Sequence, residues 1–206
     1  MEDVQNSNKN YKMRLPLILA SSSPRRKKLL EQIGIEFQVC PSKISENSSL
    51  KLSPESFAEY WAKKKAIHVA QSYPLSLVVA ADTIVVIDKE ILGKPKNKRD
   101  SIRMLRCLSN RTHKVLTGVH FSFKKHGIDR TINETTKVFI NKISDSDIHY
   151  YINNYSPFDK AGSYGIQDWF SIHVKKIEGC YFNVMGLPIA AFHKLYRQIK
   201  SDLGLI

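Results

Sequence analysis

Apolar and polar positions fall into blocks along this chain, and the period of each block predicts an element. Residues 17–20 (LILA) form a short apolar run and read as a strand, and Pro24 opens a helix over 24–33 that Gly34 closes. Residues 35–39 read as a second strand. Ser53-Pro54 starts a helix running to about residue 72. The stretch LVVAADTIVVI at 77–87 is almost continuously apolar and β-branched, which predicts a central buried strand. Ile102, Leu105 and Leu108 carry a third helix, capped by Asp100 or Ser101. Residues 113–123 and 131–140 pair as a hairpin across a turn holding Gly127. Ser144 and Asp147 have capping-box spacing and open a helix through residue 152. Strands follow near 172–177 and 181–185. A last helix begins at Pro188, with Ile189, Phe192, Leu195, Tyr196 and Ile199 on one face. Helices mixed with both hairpins and crossovers argue for an α/β or α+β fold on a mixed sheet.

At 206 residues and 42% hydrophobic, the chain is long enough for one good core and short for two. Its net charge of +13 suggests an anionic partner, though the 32 Lys and Arg are spread along the whole length. Cys40, Cys107 and Cys180 are odd in number and far apart, which suggests no disulfide framework or zinc knuckle but buried thiols in a reducing compartment. Residues 1–13 read as a disordered leader, with residues 14–206 forming one domain. The apolar run that follows is too short for a signal peptide or a membrane span. A cytoplasmic protein is therefore expected.

Three features call for chemistry. The helix at Pro24 opens on Arg25, Arg26, Lys27 and Lys28, where the helix dipole favours acids. An anion on its free N–H groups would remove the misfit. Arg25 and Arg26, beside three serines, suit that role. Lys27 and Lys28 read as a solvated face, with Lys27 paired to Glu31. Asp82 sits in an otherwise apolar strand, where a carboxylate needs a lysine, a metal or hydrogen-bond donors. A structural salt bridge or a catalytic role would each provide for it. Lys65 shares a helix stripe with Ala58, Ala62 and Val69, and taken alone it is expected to snorkel outward. No P-loop, no G-x-G-x-x-G and no H-E-x-x-H occurs, and the seven histidines lack metal-ligand spacing.

The order of several short motifs adds to this. Ser23 and Arg26 within ASSSPRRKKLL, ADT at 81–83, GKP at 93–95, LSNRTHKVLTGV at 108–119, DKAGSYGIQ at 159–167 and GLP at 186–188 together resemble the Maf family of nucleoside triphosphate pyrophosphatases. The resemblance spans residues 15–200. It implies an α/β fold with a mixed twisted sheet, flanking helices and two lobes around a central cleft, as in inosine triphosphatases, often as a homodimer. It also implies hydrolysis of the α–β phosphate bond with a divalent cation, Mg²⁺ or Mn²⁺. By that resemblance Asp82 is the catalytic base. Ser23, Arg26, Lys65 and Lys94 hold the triphosphate, and Glu46 joins Asp82 at the metal. Arg25, Thr83 and Gln167 match the branch acting on dTTP and UTP. The branch resembling 7-methyl-GTP pyrophosphatases differs there. The chain departs from the family pattern at Asn110, where glycine is usual, and at Ser45, where an aspartate commonly precedes Glu46.

Two rival readings remain. A nucleic-acid-binding protein would use the net charge, Lys124-Lys125 and Lys175-Lys176, but no RNA-binding aromatic signature or helix-turn-helix pattern accompanies them. A regulator of cell division could keep the fold without turnover. The expected partner is thus a nucleoside triphosphate, with no nucleic acid and no membrane.

Overall fold

The computed structural model describes residues 15–46 and 50–206, so the leader expected over residues 1–13 lies outside the described residues. The chain runs β1 (Leu17–Leu19), α1 (Pro24–Gln32), β2 (Gln38–Val39), α2 (Pro54–Ala70), β3 (Leu77–Ile87) and β4 (Glu90–Leu92). It continues α3 (Lys98–Leu108), β5 (Thr112–Phe123), β6 (Ile128–Ile140), α4 (Asp145–Tyr155), β7 (Val174–Glu178), α5 (Tyr181–Val184) and α6 (Ile189–Asp202). The seven strands form one mixed sheet in the order β2-β1-β3-β5-β6-β7, with β4 also on β3. The strand β1 is parallel to both its neighbours, and the remaining pairs are antiparallel. This is the mixed α/β architecture that the sequence suggests.

The central strand β3 organises the molecule. On one face, Leu77, Val79 and Ala81 join a core with Leu19, Leu30, Phe121 and Phe192, whereas Val85 and Ile87 join a second core with Leu105, Tyr151 and Phe170. Thr83 is the residue of that face between them. On the other face, Val78 and Ala80 pack with Ala66 and Val69 of α2, and Ile84 and Val86 pack with Phe57 and Trp61. Asp82 separates those two clusters, and Lys65 lies between the two contacting segments of α2. The adjacent polar residues Asp82 and Thr83 therefore mark, on opposite faces of one strand, where the apolar packing divides.

The edge of β3 divides at the same place. One edge pairs with β5 along nearly its whole length. The other pairs with β1 at Leu77–Val79 and with β4 at Val85–Ile87, and no strand among the described residues covers the backbone between. The chain leaves β1 at this gap and enters α1. Adjoining strand order diverges here, and crevices at such points are where α/β sheets bind ligands.

Helix α2 can sit close over the gap because of Gly118, the register partner of Asp82 on β5. A Cβ at Gly118 would lie 2.7 Å from the backbone carbonyl carbon and oxygen of Ala58. Only glycine lets the helix backbone approach that closely.

Several elements differ from expectation. Of residues 35–39, only Gln38 and Val39 pair as a strand. Helix α3 is capped not by Asp100 or Ser101 but by Asn97, whose side chain accepts from the Asp100 N–H at 2.9 Å. The Asp100 carboxylate instead accepts from the Lys96 N–H at 3.1 Å, so it works from inside the first turn. The hairpin that adds β4 turns on Asp88 and Lys89, both with positive φ (49° and 70°). Ile172 belongs to a 3₁₀ turn, and the strand begins at Val174. Residues 181–185 do not form a strand. They turn helical because Asn183 is drawn inside, donating to the Val115 carbonyl and to Thr136 Oγ1, both at 3.0 Å. The three cysteines are free, as expected, but half-buried. Asn110 takes the left-handed conformation (φ 56°) that the usual glycine would supply.

Candidate active site

The gap in the β3 edge opens into a cleft of about 640 Å³. All nine candidate site residues line it: Ser23 from the N-cap of α1, Arg25 and Arg26 from α1, Glu46 from the loop after β2, Lys65 from α2, Asp82 and Thr83 from β3, Lys94 from the turn after β4, and Gln167 from the loop after α4. Seven lining residues are Lys or Arg and four are Asp or Glu, so the cleft favours an anion.

Asp82 is buried, and its Oδ1 lies 2.6 Å from Lys65 Nζ. The same ammonium lies 2.6 Å from Glu46 Oε1. Lys65 thus does not snorkel into solvent, as its helix stripe alone suggested. It turns inward because two carboxylates meet it there, and its side chain is only 13% exposed. Two of its three donors are engaged, which leaves one for a ligand.

The basic start of α1 resolves into separate fates. Lys27 pairs with Glu31 one turn on, at 3.7 Å, as the spacing suggested. Ser23 is the N-cap and its side chain accepts from the Arg26 N–H. The Arg26 guanidinium donates to the Gly186 carbonyl (2.8 Å), Ser21 Oγ (3.1 Å) and Thr83 Oγ1 (3.0 Å). These are neutral acceptors; no carboxylate hydrogen-bonds Arg26 among the described residues. Burial pulls its pKa below the ordinary arginine value; Asp82 works against that, the neighbouring Arg25 adds to it, and Glu46 again opposes it. An anion here would relieve a cation that is desolvated and only loosely balanced. Gly186, with φ at 107°, presents the carbonyl that holds Arg26 Nε.

Arg25 behaves differently. Its NH1 donates to Asp159 Oδ2 at 2.8 Å, and its NH2 lies 3.4 Å from the Asp159 carbonyl, so it reaches across to the opposite wall. Lys160 Nζ occupies Asp159 Oδ1 at 2.7 Å. Burial pushes the Asp159 carboxyl up, but the hydrogen bonds and charges of Lys160 and Arg25 outweigh it and leave the group below its usual value. Lys94 and Gln167 line the cleft as exposed side chains. The loop carrying Gln167 is braced by Tyr151, whose hydroxyl accepts from the Gly165 N–H (2.9 Å) and donates to Asp168 Oδ2 (3.0 Å).

Sequence reasoning missed Asp159, Lys160 and Lys96 at this cleft. Asp159 and Lys160 stand in a motif quoted for its resemblance, DKAGSYGIQ, but only Gln167 drew attention there. Among the described residues, no group of three or more His, Cys, Asp or Glu could hold a metal ion. Asp82 and Glu46 do present hard carboxylate oxygens around one point, now taken by Lys65 Nζ. A divalent cation fits these two if the substrate supplies its remaining ligands.

The Maf-like protein family model matches residues 16–199. The chain belongs to the Maf-like family. A dTTP/UTP pyrophosphatase of Thermosipho africanus is 48% identical over 93% of this Maf-like chain and 95% of its own length. Proteins of the same description from Cytophaga hutchinsonii (43% identical, 95% of this chain, 90% of theirs) and Geobacillus sp. (46%, 89% and 96%) are similarly close. Among solved structures, a HAM1 protein from Coxiella burnetii is similar at a TM-score of 0.45 and 17% identity, over 62% of this chain and 73% of that one. No helix among the described residues of this Maf-like chain is long and apolar enough to cross a membrane.

Proposed function

We propose that the protein is a nucleoside triphosphate pyrophosphatase that hydrolyses dTTP and UTP to the monophosphate and pyrophosphate. The observation that carries this reading is the cleft itself. It sets a lysine-held carboxylate, Asp82, beside an arginine, Arg26, whose hydrogen-bond partners are all neutral. The names of the relatives at 43–48% identity support the same substrates.

Phosphoryl chemistry needs positioning and charge stabilisation more than covalent help. In this reading Arg26, the N-terminus of α1 at Ser23, Lys94 and the remaining donor of Lys65 hold the triphosphate, and all of them line the cleft. Asp82 takes the proton of the attacking water as the bond from water oxygen to phosphorus forms and the bridging α–β bond breaks. Pyrophosphate then leaves carrying the bridging oxygen. A divalent cation on Asp82 and Glu46 would supply neutralisation of the phosphate charge. Thr83 accepts from the Arg26 guanidinium at 3.0 Å, which supports a base-reading residue adjoining the phosphate-binding arginine. Arg25 and Gln167 stand nearer the far wall, where an amide that both donates and accepts suits the N3 and carbonyl groups of uracil or thymine. Three free cysteines suit the reducing cytoplasm, where nucleotide pools reside.

The test is pyrophosphate release by purified protein from a panel of canonical and modified nucleotides, with and without chelation. Turnover that prefers dTTP and UTP by at least about tenfold in kcat/KM, lost on chelation and restored by Mg²⁺ or Mn²⁺, supports the reading. A preference for 7-methyl-GTP overturns the substrate assignment, and no pyrophosphate from any nucleotide overturns the activity.

A further inference from the structure

Two adjacent arginines open α1, and the fold treats them in opposite ways. Arg26 keeps its charge for the cleft, bonded only to hydroxyls and a carbonyl. Arg25 is gripped by both the carboxylate (2.8 Å) and the backbone carbonyl (3.4 Å) of Asp159. Asp159 stands on a 3₁₀ turn, Pro157–Asp159, on the wall opposite α1. From there the chain runs to Gln167 through a segment pinned at Gly162, whose N–H donates to the Gly93 carbonyl (3.0 Å), and at Gly165, held by Tyr151. One braced segment therefore carries both Asp159 and Gln167.

We propose that Asp159 is a positioning residue for base selection. It acts by anchoring Arg25 to the segment that carries Gln167 and by keeping that guanidinium off the triphosphate. The proposal rests on the nucleotide pyrophosphatase reading above and deepens it. An arginine at a helix start with its charge unopposed would turn to the phosphates, a partner common to every nucleotide. Binding shared by all substrates discriminates among none of them. Pairing with Asp159 offsets the charge yet leaves Arg25 N–H donors for base carbonyls, which uracil and thymine carry at both positions 2 and 4 and cytosine only at position 2. Lys160 on the other carboxylate oxygen fixes the orientation of that anchor.

The experiment compares kcat/KM and equilibrium binding for UTP and CTP in wild type, Asp159→Ala, Asp159→Glu, Arg25→Ala and the Arg25→Ala/Asp159→Ala double variant. The Asp159 side chain is 54% exposed, so its truncation leaves folding intact. Asp159→Ala is expected to lower the UTP/CTP ratio by roughly three- to tenfold, and Asp159→Glu to recover part of it. In the Arg25→Ala background, Asp159→Ala should change the ratio no further. An unaltered ratio in Asp159→Ala overturns the proposal, and so does an equal drop in both backgrounds. Binding separates this result from the activity. A wild type that binds UTP over CTP without cleaving either refutes the pyrophosphatase reading while the role of Asp159 stays measurable.

Discussion

The Lys65 ammonium lies 2.6 Å from Asp82 Oδ1, pairing an inward-turned helix lysine with the one acidic side chain of the central strand. Both side chains are largely buried, at 13% and 8% exposure. Removing the cation leaves Asp82 facing Glu46 with nothing between them. Lys65→Met is expected to lose about 1–3 kcal/mol of stability, because a buried charged acceptor is left unsatisfied. Turnover should fall with it. Urea unfolding reads the first and steady-state kinetics the second, and a stable, fully active variant would remove this pair from the account.

Arg26→Ala should act on the triphosphate. Hydrogen bonds to a charged group contribute about 1.5–3 kcal/mol, so binding of substrate and of free pyrophosphate should weaken by roughly ten- to a hundredfold. Calorimetry with pyrophosphate alone isolates that term from base recognition. Unchanged pyrophosphate affinity would place the phosphates elsewhere in the cleft.

Gly118 tests how the helix is positioned. In Gly118→Val, the new Cβ would fall 2.7 Å from the Ala58 backbone, so α2 must move off the sheet. Overpacking of this kind costs about 1–3 kcal/mol, and kcat should drop as Lys65 is drawn away from Asp82. Wild-type stability and wild-type turnover in this variant would contradict the close approach of α2.

Acid should weaken the fold through two buried imidazoles. Burial pushes His113 down to about 4, and it pushes His120 down to about 4 as well, Asp129 opposing and Lys63 adding to the shift. Unfolded, each would titrate near 6.5. Between those values the unfolded chain binds protons that the native state resists, so stability is whole above about pH 6.5 and falls as pH drops toward 4. Unfolding at pH 7 and at pH 5 should differ by about 2 kcal/mol or more. Equal values would mean that neither ring resists protonation.

How far the sequence discloses this molecule depends on the range of each interaction. Asp82 is conspicuous because one acid among β-branched neighbours breaks a local pattern. The stripe holding Lys65 gives its face on α2, but not what lies opposite, since Asp82 and Glu46 arrive from other elements. The β4 hairpin goes unseen because its turn uses Asp88 and Lys89 at positive φ, where Asn and Gly are the usual signal. Residues 181–185 look like a strand until Thr136 and Val115 take up the Asn183 amide. The motif around Asp159 gives no sign of its pairing across the cleft, because Arg25 is 134 positions away. Short-range periodicity thus yields most of the elements and the acid, while pairings across the cleft come only from the fold.

The most direct test of the account is to set purified wild type beside Asp82→Asn and follow pyrophosphate and monophosphate released from UTP, with nucleotide binding measured in parallel. The account predicts equal amounts of the two products from wild type. It predicts a loss of about a hundred- to ten-thousandfold in kcat for Asp82→Asn, which should still fold and bind UTP. Near-normal turnover by Asp82→Asn, or inorganic phosphate in place of pyrophosphate from the wild type, would contradict it.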